Sequence, residues 1–575
     1  MNFLIFLAFF PIDFRVTEIT IQGNEYFNDK AIKNVMLTRT RALFRKGKFD
    51  HNVYKGDIAA IKNLYDYNGF LETEIRDSLT FDSTKKTVKI NIDIKEGNQT
   101  IIKEIEFTGN TLFSDEFLKE KIITKLEKPF DRRKFEIDNY IITSIYDDLG
   151  YTEVKVNTEY FFNNYQAKIS YNIAEGEKQF IEDIEITGLR RTRKDVVSKE
   201  LVLKQQDILR YAQVLKSRRN LTNLGIFSSI RTQTISGSQS DHKIIQFIFS
   251  EKDPIALNFR VGYGTRDYLR FGAGITHLNM LGRAWQGKLE GKISFSEYRL
   301  NSEITFPRFL ILPLRYRIGS FYQFKREIGF NTRHIGFYNE FRFDLLTGSF
   351  STKYNVENIR TYFPIKNSNQ NGDSTKNEWL HGITLNWLRD RRDDPISTNA
   401  GNYTNLSLET SGIIMPADVN YVRPTMEFRF FKPFMPVVLG IAFKTGVIQP
   451  IAPSSDIPVY KRFYCGGTTS VRGYADWSIG PKDSNGNPIG GRVLFETSAE
   501  FRFPVYKILG GVLFVDAGNV WRNIDDIDGK LKWAIGLGMR LRTPLGSIRL
   551  DYGMKIKPEL NESSGTLHFA IGEAF

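Results

Sequence analysis

The sequence predicts tandem α+β repeats followed by an all-β transmembrane barrel of about 16 antiparallel strands. Three observations support this fold class. A pattern of one strand, two helices and two strands occurs three times in the N-terminal part of the chain. Apolar residues then alternate with small or charged residues towards the C-terminus. One long glycine-rich loop interrupts this alternating part and carries Arg472 in a V-R-G-Y motif.

The composition excludes several classes of protein. The 575 residues are too many for a single core, and the 46 Phe and 26 Tyr suit aromatic belts at the two surfaces of a membrane. The net charge of +13 favours a basic lumen or anionic lipid headgroups over nucleic acid, because no dense basic run occurs. The single cysteine, Cys465, excludes an intramolecular disulfide, and the six histidines show no metal-ligand spacing. No metal and no cofactor are therefore expected.

The N-terminal segment, residues 1–14, is apolar but short. It has neither a basic start nor a clear cleavage site with small residues. We interpret it as the remnant of a secretory signal, with a buried N-terminal strand as the alternative. No stretch of about 18 apolar residues follows, so no transmembrane helix is predicted.

Three repeats are predicted, over residues 15–98, 99–177 and 178–254. Their spacing of roughly 80 residues fits one small α+β module each. The second helix of each repeat is expected to end where a left-handed backbone favours glycine, and these residues are Gly69, Gly150 and Gly225. The third strand of each repeat alternates and ends on a glutamate, namely Glu96, Glu175 and Glu251. The alternative is three generic modules without a shared role.

From about Ala256 onward, strict alternation replaces the helical pattern. The apolar face of the first strand consists of Leu257, Phe259, Val261 and Tyr263, and the other face of Asn258, Arg260, Gly262 and Gly264. Near the C-terminus, Arg540 and Asp551 lie on similar polar faces. A soluble sandwich would not bury so many charges, whereas a barrel with a hydrated lumen does. Residues 255–575, at about 20 residues per strand and connection, predict about 16 strands.

The long loop, near residues 451–491, is the candidate functional element because connections of this length are usually functional. It contains F-Y-C-G-G-T-T-S-V-R-G-Y at Phe463–Tyr474, and F-V-D-A-G-N-V-W follows at Phe514–Trp521. A guanidinium in such a loop can bridge two carboxylates through charge-assisted hydrogen bonds. The alternative is that Arg472 is solvated and that Asp516 only begins a turn.

These motifs together resemble the BamA/TamA superfamily, whose members insert or translocate proteins at an outer membrane. The three repeats resemble the polypeptide-transport-associated (POTRA) domain. The segment Leu278–Ala284, L-N-M-L-G-R-A, resembles the family's N-x-L-G-R-G turn, with Ala284 in place of the last glycine. We expect this turn to join the first two barrel strands. The C-terminal T-L-H-F-A-I-G-E-A-F resembles the outer-membrane β-signal.

The resemblance implies that the long loop folds back into the lumen of the barrel. There Arg472 is expected to meet two carboxylates of the inner wall, Asp516 and Glu500. Gly473 would let the backbone turn tightly beside the wall, and Tyr474 would pack below it. Strand parity places Phe514 on the same face as Asp516, so the loop is expected to rest partly on that ring.

The barrel must close its first strand, near Leu257–Arg266, on its last, near Gly565–Phe575. The glycines predicted at this seam weaken strand pairing because they remove side-chain packing, and they are Gly262, Gly264 and Gly572. Phe575 is the aromatic residue of the β-signal. A weak seam can open laterally into the membrane and act as a template for a client strand.

The resemblance implies an assembly or translocation factor of the TamA type in a bacterial outer membrane, with its repeats in the periplasm. BamA proper stays open as an alternative, and a passive porin or a two-partner secretion export channel is the alternative of another class. The implied partners are nascent outer-membrane proteins, outer-membrane lipids and a TamB-like or other periplasmic protein, without nucleic acid. The chain has no G-x-S-x-G, Walker or H-E-x-x-H motif, so no enzymatic activity is expected.

Overall fold

The computed structural model describes residues 14–40, 47–309, 312, 314–345, 347–363, 374–434, 436–506, 508–543, 546–559 and 562–571. The segment interpreted as a signal remnant, residues 1–14, lies outside these ranges except for residue 14. No helix within the described ranges is both long and apolar enough to cross a membrane.

The chain divides into two compact units. The first unit contains the described residues up to Thr187 together with Glu200–Leu221 and Ile230–Ile248. The second unit contains Gly188–Lys199, Thr222–Ser229 and Phe249–Phe575. The second unit therefore combines three short segments of the predicted third repeat, the last of them residues 249–254, with the predicted barrel.

The N-terminal part consists of three repeats with the same order of elements. The first contains β1 (Arg15–Gln22), α1 (Asp29–Val35), α2 (His51–Asp66), β2 (Glu74–Asp82) and β3 (Thr87–Lys95). The second contains β4 (Ile101–Thr108), α3 (Asp115–Lys121), α4 (Arg133–Asp148), β5 (Lys155–Asn163) and β6 (Gln166–Ala174). The third contains β7 (Phe180–Thr187), α5 (Lys194–Ser198), α6 (Tyr211–Asn223), β8 (Phe227–Ser236) and β9 (His242–Glu251).

Each repeat has one small sheet in which the third strand lies in the middle. The first strand runs parallel to the third strand in all three sheets. In the first two repeats the second strand is antiparallel to the third. The predicted repeats are therefore confirmed, and the second strand of each sheet has one open edge that can accept a further strand.

Glycine ends the second helix of each repeat in the left-handed conformation. The backbone φ angles are +86° at Gly69, +99° at Gly150 and +73° at Gly225. A Cβ atom at Gly150 would also lie 2.3 Å from Cγ2 of Ile208. The predicted glycine stop is thus confirmed, because a larger residue meets backbone strain at all three positions and a steric clash as well at Gly150.

The glutamate at the end of the third strand holds the loop that follows the first strand. In the second repeat, Glu175 accepts hydrogen bonds from the backbone N–H of Leu112 at 2.9 Å, from the hydroxyl of Tyr146 at 2.8 Å and from Thr111. Burial alone would raise the pKa of Glu175, but these donors hold it below its ordinary value of 4.5. The equivalent carboxylates accept backbone N–H groups in the same way, namely Glu96 from Tyr26 and Glu251 from Arg190, Arg191 and Thr192.

A second polar device lies on the buried face of the second helix and was not predicted from the sequence. Asp138 is fully buried and accepts hydrogen bonds from the backbone N–H of Ile123 at 2.6 Å and from the hydroxyl of Tyr171 at 2.7 Å. The equivalent residues also bond the backbone after the first helix, namely Asp57 to Leu37 and Thr38, and Ser217 to Val202. Helical periodicity marks these positions as core but does not show why they are polar.

The strands after the repeats close into one barrel. They are β10 (Ile255–Gly264), β11 (Tyr268–Met280), β12 (Trp285–Ser294), β13 (Glu297–Phe306), β14 (Arg315–Glu327), β15 (Phe330–Leu345), β16 (Gly348–Phe363), β17 (Ser374–Asp390) and β18 (Gly401–Ser411). They continue with β19 (Tyr421–Phe434), β20 (Val437–Val447), β21 (Gln449–Pro450), β22 (Val493–Tyr506), β23 (Leu509–Trp521), β24 (Lys532–Thr543), β25 (Gly546–Lys555) and β26 (Gly565–Ile571).

The predicted number of strands is confirmed, because β21 is the continuation of β20. Both pair with β19 in the same register, as the pairs Thr425↔Gly446 and Val422↔Gln449 show. When β20 and β21 are counted as one interrupted strand, the described residues form a barrel of 16 antiparallel strands.

The two faces of the barrel wall follow the predicted alternation. On β10, Leu257 is 64% exposed and Phe259 is 75% exposed on the outer surface. The residue after Phe259, Arg260, forms an ion pair with Glu290 of β12 on the inner surface. An apolar outer face and a charged, internally paired lumen are typical of a barrel that spans a membrane.

The turn Leu278–Ala284 joins β11 to β12, so the expectation that it joins the first two strands is wrong. The first two strands, β10 and β11, are joined by only three residues, Thr265–Asp267, which carry no distinctive motif. The backbone φ at Ala284 is +56°, and its N–H donates to the Asn279 side chain at 2.7 Å. The left-handed angle explains why glycine suits this position of the motif.

The Glu175→Gln substitution should loosen the loop before α3 by about 1 kcal/mol at neutral pH, because it removes charge-assisted bonds to Leu112 and Tyr146. The pKa of Glu175 lies below 4.5 in the folded protein. Its stabilising effect is therefore complete above about pH 4.5 and is lost as the pH falls through the folded pKa. Hydrogen exchange of residues 109–114, corrected for intrinsic rates, measures this effect.

The matched control is Glu159→Gln on β5, where the carboxylate is exposed. Exchange should be faster in Glu175→Gln than in this control at pH 7, and the difference should shrink at about pH 3. Equal exchange in both variants at pH 7 would contradict the role given to Glu175.

Candidate functional site

The long loop occupies residues 451–492, between β21 and β22. It has a small core of its own, which consists of Ile457, Phe463, Cys465, Val471, Tyr474 and Ile479. This core packs on buried residues of the barrel wall, among them Leu494, Val520 and Ala534. Isolated bridges such as Phe463↔Gly491 and Cys465↔Ile479 hold the loop backbone together. The loop is thus a folded element packed against the inner wall and not a passive hairpin.

Arg472 binds both carboxylates that the sequence indicates. Its Nε and Nη2 atoms donate to the two oxygens of Asp516, each at 2.8 Å, and its backbone N–H donates to the same group at 3.1 Å. Its Nη1 atom donates to Glu500 at 2.6 Å. The side chain of Arg472 is 7% exposed and that of Asp516 is 0% exposed. Such a bidentate pair is strong because both partners are charged and shielded from water.

The ring of Phe514 lies beneath the guanidinium. The Cζ atom of Arg472 is 3.5 Å from the centre of that ring, and Phe514 itself is buried. A guanidinium stacked on an aromatic face is attracted by the ring quadrupole and cannot rotate freely. The ring therefore fixes the plane in which Arg472 presents its donors to the carboxylates.

Further charged groups around this site were not predicted individually. Asp551 of β25 lies 4.0 Å from Nη1 of Arg472 and is ion-paired with Arg540 of β24. Glu500 also pairs with Arg502 at 2.7 Å. Alternation places these groups in the lumen, but it does not show which strands face one another across it. The result is a network in which each carboxylate contacts at least one guanidinium.

Gly473 lets the loop backbone approach the barrel wall closely. Its φ angle is outside the left-handed region, so the expected tight turn does not itself require glycine. A Cβ atom on Gly473 would lie 2.6 Å from Cβ of Ala534, and one on Gly553 would lie 2.6 Å from the Arg472 carbonyl carbon. The loop tip and the wall thus meet backbone to backbone. Tyr474 is buried beside them, with Nζ of Lys555 4.7 Å from its ring centre.

The described residues contain part of the seam between β10 and β26. This part includes the pairs Tyr263↔Ile571 and Gly264↔Ala570, and β10 forms ten pairs with β11 on its other side. Gly262 lies at the same margin, since a Cβ atom there would be 3.0 Å from the Ile571 carbonyl oxygen. The other two seam residues predicted from the sequence, Gly572 and Phe575, lie outside the described residues.

Two family models match this chain. The model of the Omp85 superfamily domain matches residues 279–575. The POTRA model, described as the surface antigen variable number repeat, matches residues 14–97, 100–176 and 179–261.

Relatives named as assembly factors match along most of the chain. The outer membrane protein assembly factor BamA of Nitratidesulfovibrio vulgaris is 23% identical over 97% of this chain and 73% of its own length. BamA of Neisseria meningitidis is 23% identical over 98% of this chain and 78% of its own length. The crystal structure of BamA from Haemophilus ducreyi lacking POTRA domains 1–3 has a TM-score of 0.70 at 19% identity, covering 82% of this chain and 99% of that one. This structural likeness shows a shared fold.

Replacement of Arg472 by alanine should destabilise the folded barrel by about 3–5 kcal/mol, because it leaves the buried Asp516 carboxylate without its cation. The stability of Arg472→Lys should lie between that of Arg472→Ala and that of the native protein, since one ammonium group cannot form the bidentate bonds. The temperature at which the barrel loses its compact mobility on a semi-denaturing gel measures the effect.

Arg522→Ala is the control, because Arg522 is exposed just after β23. Its transition temperature should match that of the native protein. If Arg472→Ala had the same transition temperature as this control, the ion pair would not be a stabilising element of the barrel.

Proposed function

The chain belongs to the Omp85 superfamily, and on that premise we propose that it is an outer-membrane protein assembly factor. The resemblance to the BamA/TamA superfamily is confirmed by the match of both family models. The barrel lies in a bacterial outer membrane and the POTRA repeats lie in the periplasm. The observation that best supports assembly is a loop fixed inside the barrel by Arg472 beside the seam between β10 and β26.

A passive porin, the candidate of another class, agrees less well with these features. A porin needs a clear water-filled path and a permanently closed wall. In this chain the loop core packs on the inner wall, and three repeats precede the barrel. The two-partner secretion channels usually have two such repeats, which also argues against that reading. We propose no enzymatic activity.

Within the superfamily we propose a TamA-like role, with BamA proper as the second candidate. The G-G-T-T-S-V-R-G-Y sequence before and around Arg472 is closer to the TamA form than to the BamA form. The proposed partners are nascent outer-membrane proteins, a TamB-like or other periplasmic protein, and lipids of the outer membrane. A large gene of the AsmA/TamB type beside this gene would support TamA, whereas genes for periplasmic chaperones or lipid A synthesis would support BamA.

The repeats offer open edges for these partners. In the second repeat, β5 is an edge strand on which Phe161 and Phe162 are exposed. An extended segment of another chain can pair with such an edge through backbone hydrogen bonds, which tolerate many sequences. We propose that clients or accessory proteins are held in this way before they reach the barrel.

Deletion of residues 178–252, the third repeat, should abolish assembly while a folded barrel still forms. The repeat directly precedes the barrel in the chain, and its loop bonds the turn between β11 and β12 through Arg193 N–H and the Gly282 carbonyl at 2.9 Å. Complementation of a depleted strain and a gel assay of barrel folding measure the two properties. Deletion of residues 15–98 is the control and should impair growth less. Full complementation by the 178–252 deletion would favour a plain channel.

Cysteines placed across the seam should stop assembly when they are oxidised. Gly264 and Ala570 are directly opposite one another, so Gly264→Cys and Ala570→Cys, with Cys465→Ser, should form a disulfide. Reduction should restore activity. The control is a cysteine pair at Tyr354 and Ile383, which face one another on β16 and β17, and its oxidation should leave assembly unchanged. Full activity with the seam quantitatively cross-linked would exclude lateral opening as the mechanism.

A further inference from the structure

We propose that the tip of the long loop clasps the seam from inside, so that β10 and β26 can separate only after the loop tip lets go. Five residues form this clasp, namely Thr265, Thr468, Arg472, Thr566 and His568. Two of them, Thr468 and Arg472, belong to the loop, and the others belong to the two margins of the seam. The inference adds a positioning role for His568 and Thr468. It rests on the proposed function only in the assumption that the seam opens to admit a client.

The last strand is bound to the loop through its inward-facing side chains. Nε2 of His568 lies 2.7 Å from the carbonyl oxygen of Arg472, and Nδ1 lies 3.1 Å from the hydroxyl of Thr468. Because a carbonyl oxygen only accepts, Nε2 carries a proton and donates to Arg472, while Nδ1 shares the second hydrogen bond with the Thr468 hydroxyl. Two positions earlier, the hydroxyl of Thr566 donates to the carbonyl oxygen of Gly473 at 3.2 Å. His568 is 4% exposed, so water competes little for these bonds.

The first strand is bound to the same loop through the turn that follows it. The hydroxyl of Thr468 lies 3.4 Å from that of Thr265. The next residue, Arg266, stacks on the Trp477 ring with its Cζ atom 4.4 Å from the ring centre, and it forms an ion pair with Glu327 of β14. Trp477 in turn stacks on Tyr464 of the loop with 3.9 Å between ring centres. Thr468 therefore contacts both margins of the seam.

Arg472 connects this clasp to the ion pair on the opposite side of the loop tip. Its guanidinium binds Asp516 and Glu500 while its carbonyl oxygen accepts from His568. A shift of the loop tip large enough to free the carbonyl would also disturb the bidentate geometry, which is narrow. Release of the seam and release of the ion pair are thus coupled through one residue.

The clasp is tested by hydrogen exchange of the full chain in lipid nanodiscs without any client. Thr468→Val removes the hydroxyl without changing the shape of the side chain, and His568→Phe removes both ring nitrogens. Each should raise the exchange of segments 255–264 and 565–571 by about tenfold, as expected for the loss of one or two hydrogen bonds. His568→Gln should stay close to the native rate, because its amide offers one donor and one acceptor.

The remote pair β15 and β16 is the internal control, and its exchange should not change. Unchanged exchange at the seam in both Thr468→Val and His568→Phe would overturn the proposal, and so would an equal rise at β15 and β16, which indicates general loss of stability. If His568→Phe does not fold, Thr468→Val decides alone. Because no client is present, faster exchange at the seam supports the clasp independently of the proposed function, which full activity of the cross-linked seam would contradict.

Discussion

The rest of the barrel interior depends on the buried ion pair between Arg472 and Asp516. Two charges held away from water are costly unless their geometry is nearly ideal, and here the bidentate contact, the Phe514 ring and the second carboxylate of Glu500 all contribute to that geometry. The same contact requires the loop backbone to touch the wall, which is why Gly473 and Gly553 face each other. The second carboxylate, the aromatic ring and the two glycines thus all serve to keep the buried ion pair in its bidentate geometry.

The ion pair holds only one end of the loop, and a second attachment holds the other. Tyr460 donates its hydroxyl to Glu378 of β17 at 2.8 Å, and Lys461 pairs with Glu409 of β18 at 2.9 Å. These strands lie away from β22 and β23, where Arg472 binds. The loop therefore spans the lumen between two parts of the wall. Because the loop is attached to the wall at two separated points, it cannot leave the lumen as a rigid body while either attachment holds. Loss of one attachment leaves the other as the remaining contact that keeps the loop in place.

Most of the architecture could be predicted from the sequence, because the period of a strand is two and that of a helix is 3.6. Alternation placed Arg540, Asp551 and Phe514 on the correct face of the wall. It could not place them around the circumference, since that depends on strand order and tilt, so the contacts of Asp551 and His568 with the loop tip were missed. The turn at Leu278–Ala284 was assigned one strand too early because the preceding turn of three residues has no signal of its own. The buried Asp57 and Asp138 were missed because helical periodicity treats every inward position as apolar.

The seam where β10 meets β26 must stay paired at rest, because lipid offers no hydrogen bonds to unpaired backbone groups. In the pair Gly264↔Ala570 of this seam, Gly264 contributes no side-chain packing. The contacts that strengthen this margin come from the lumen, where His568 and Thr566 bind the loop tip. A loop in the lumen can supply such bonds without blocking the outer edge of either strand. Under the proposed clasp, the seam is closed at rest and its strand edges become free towards the lipid once the loop tip releases them, a combination that strand pairing alone cannot provide.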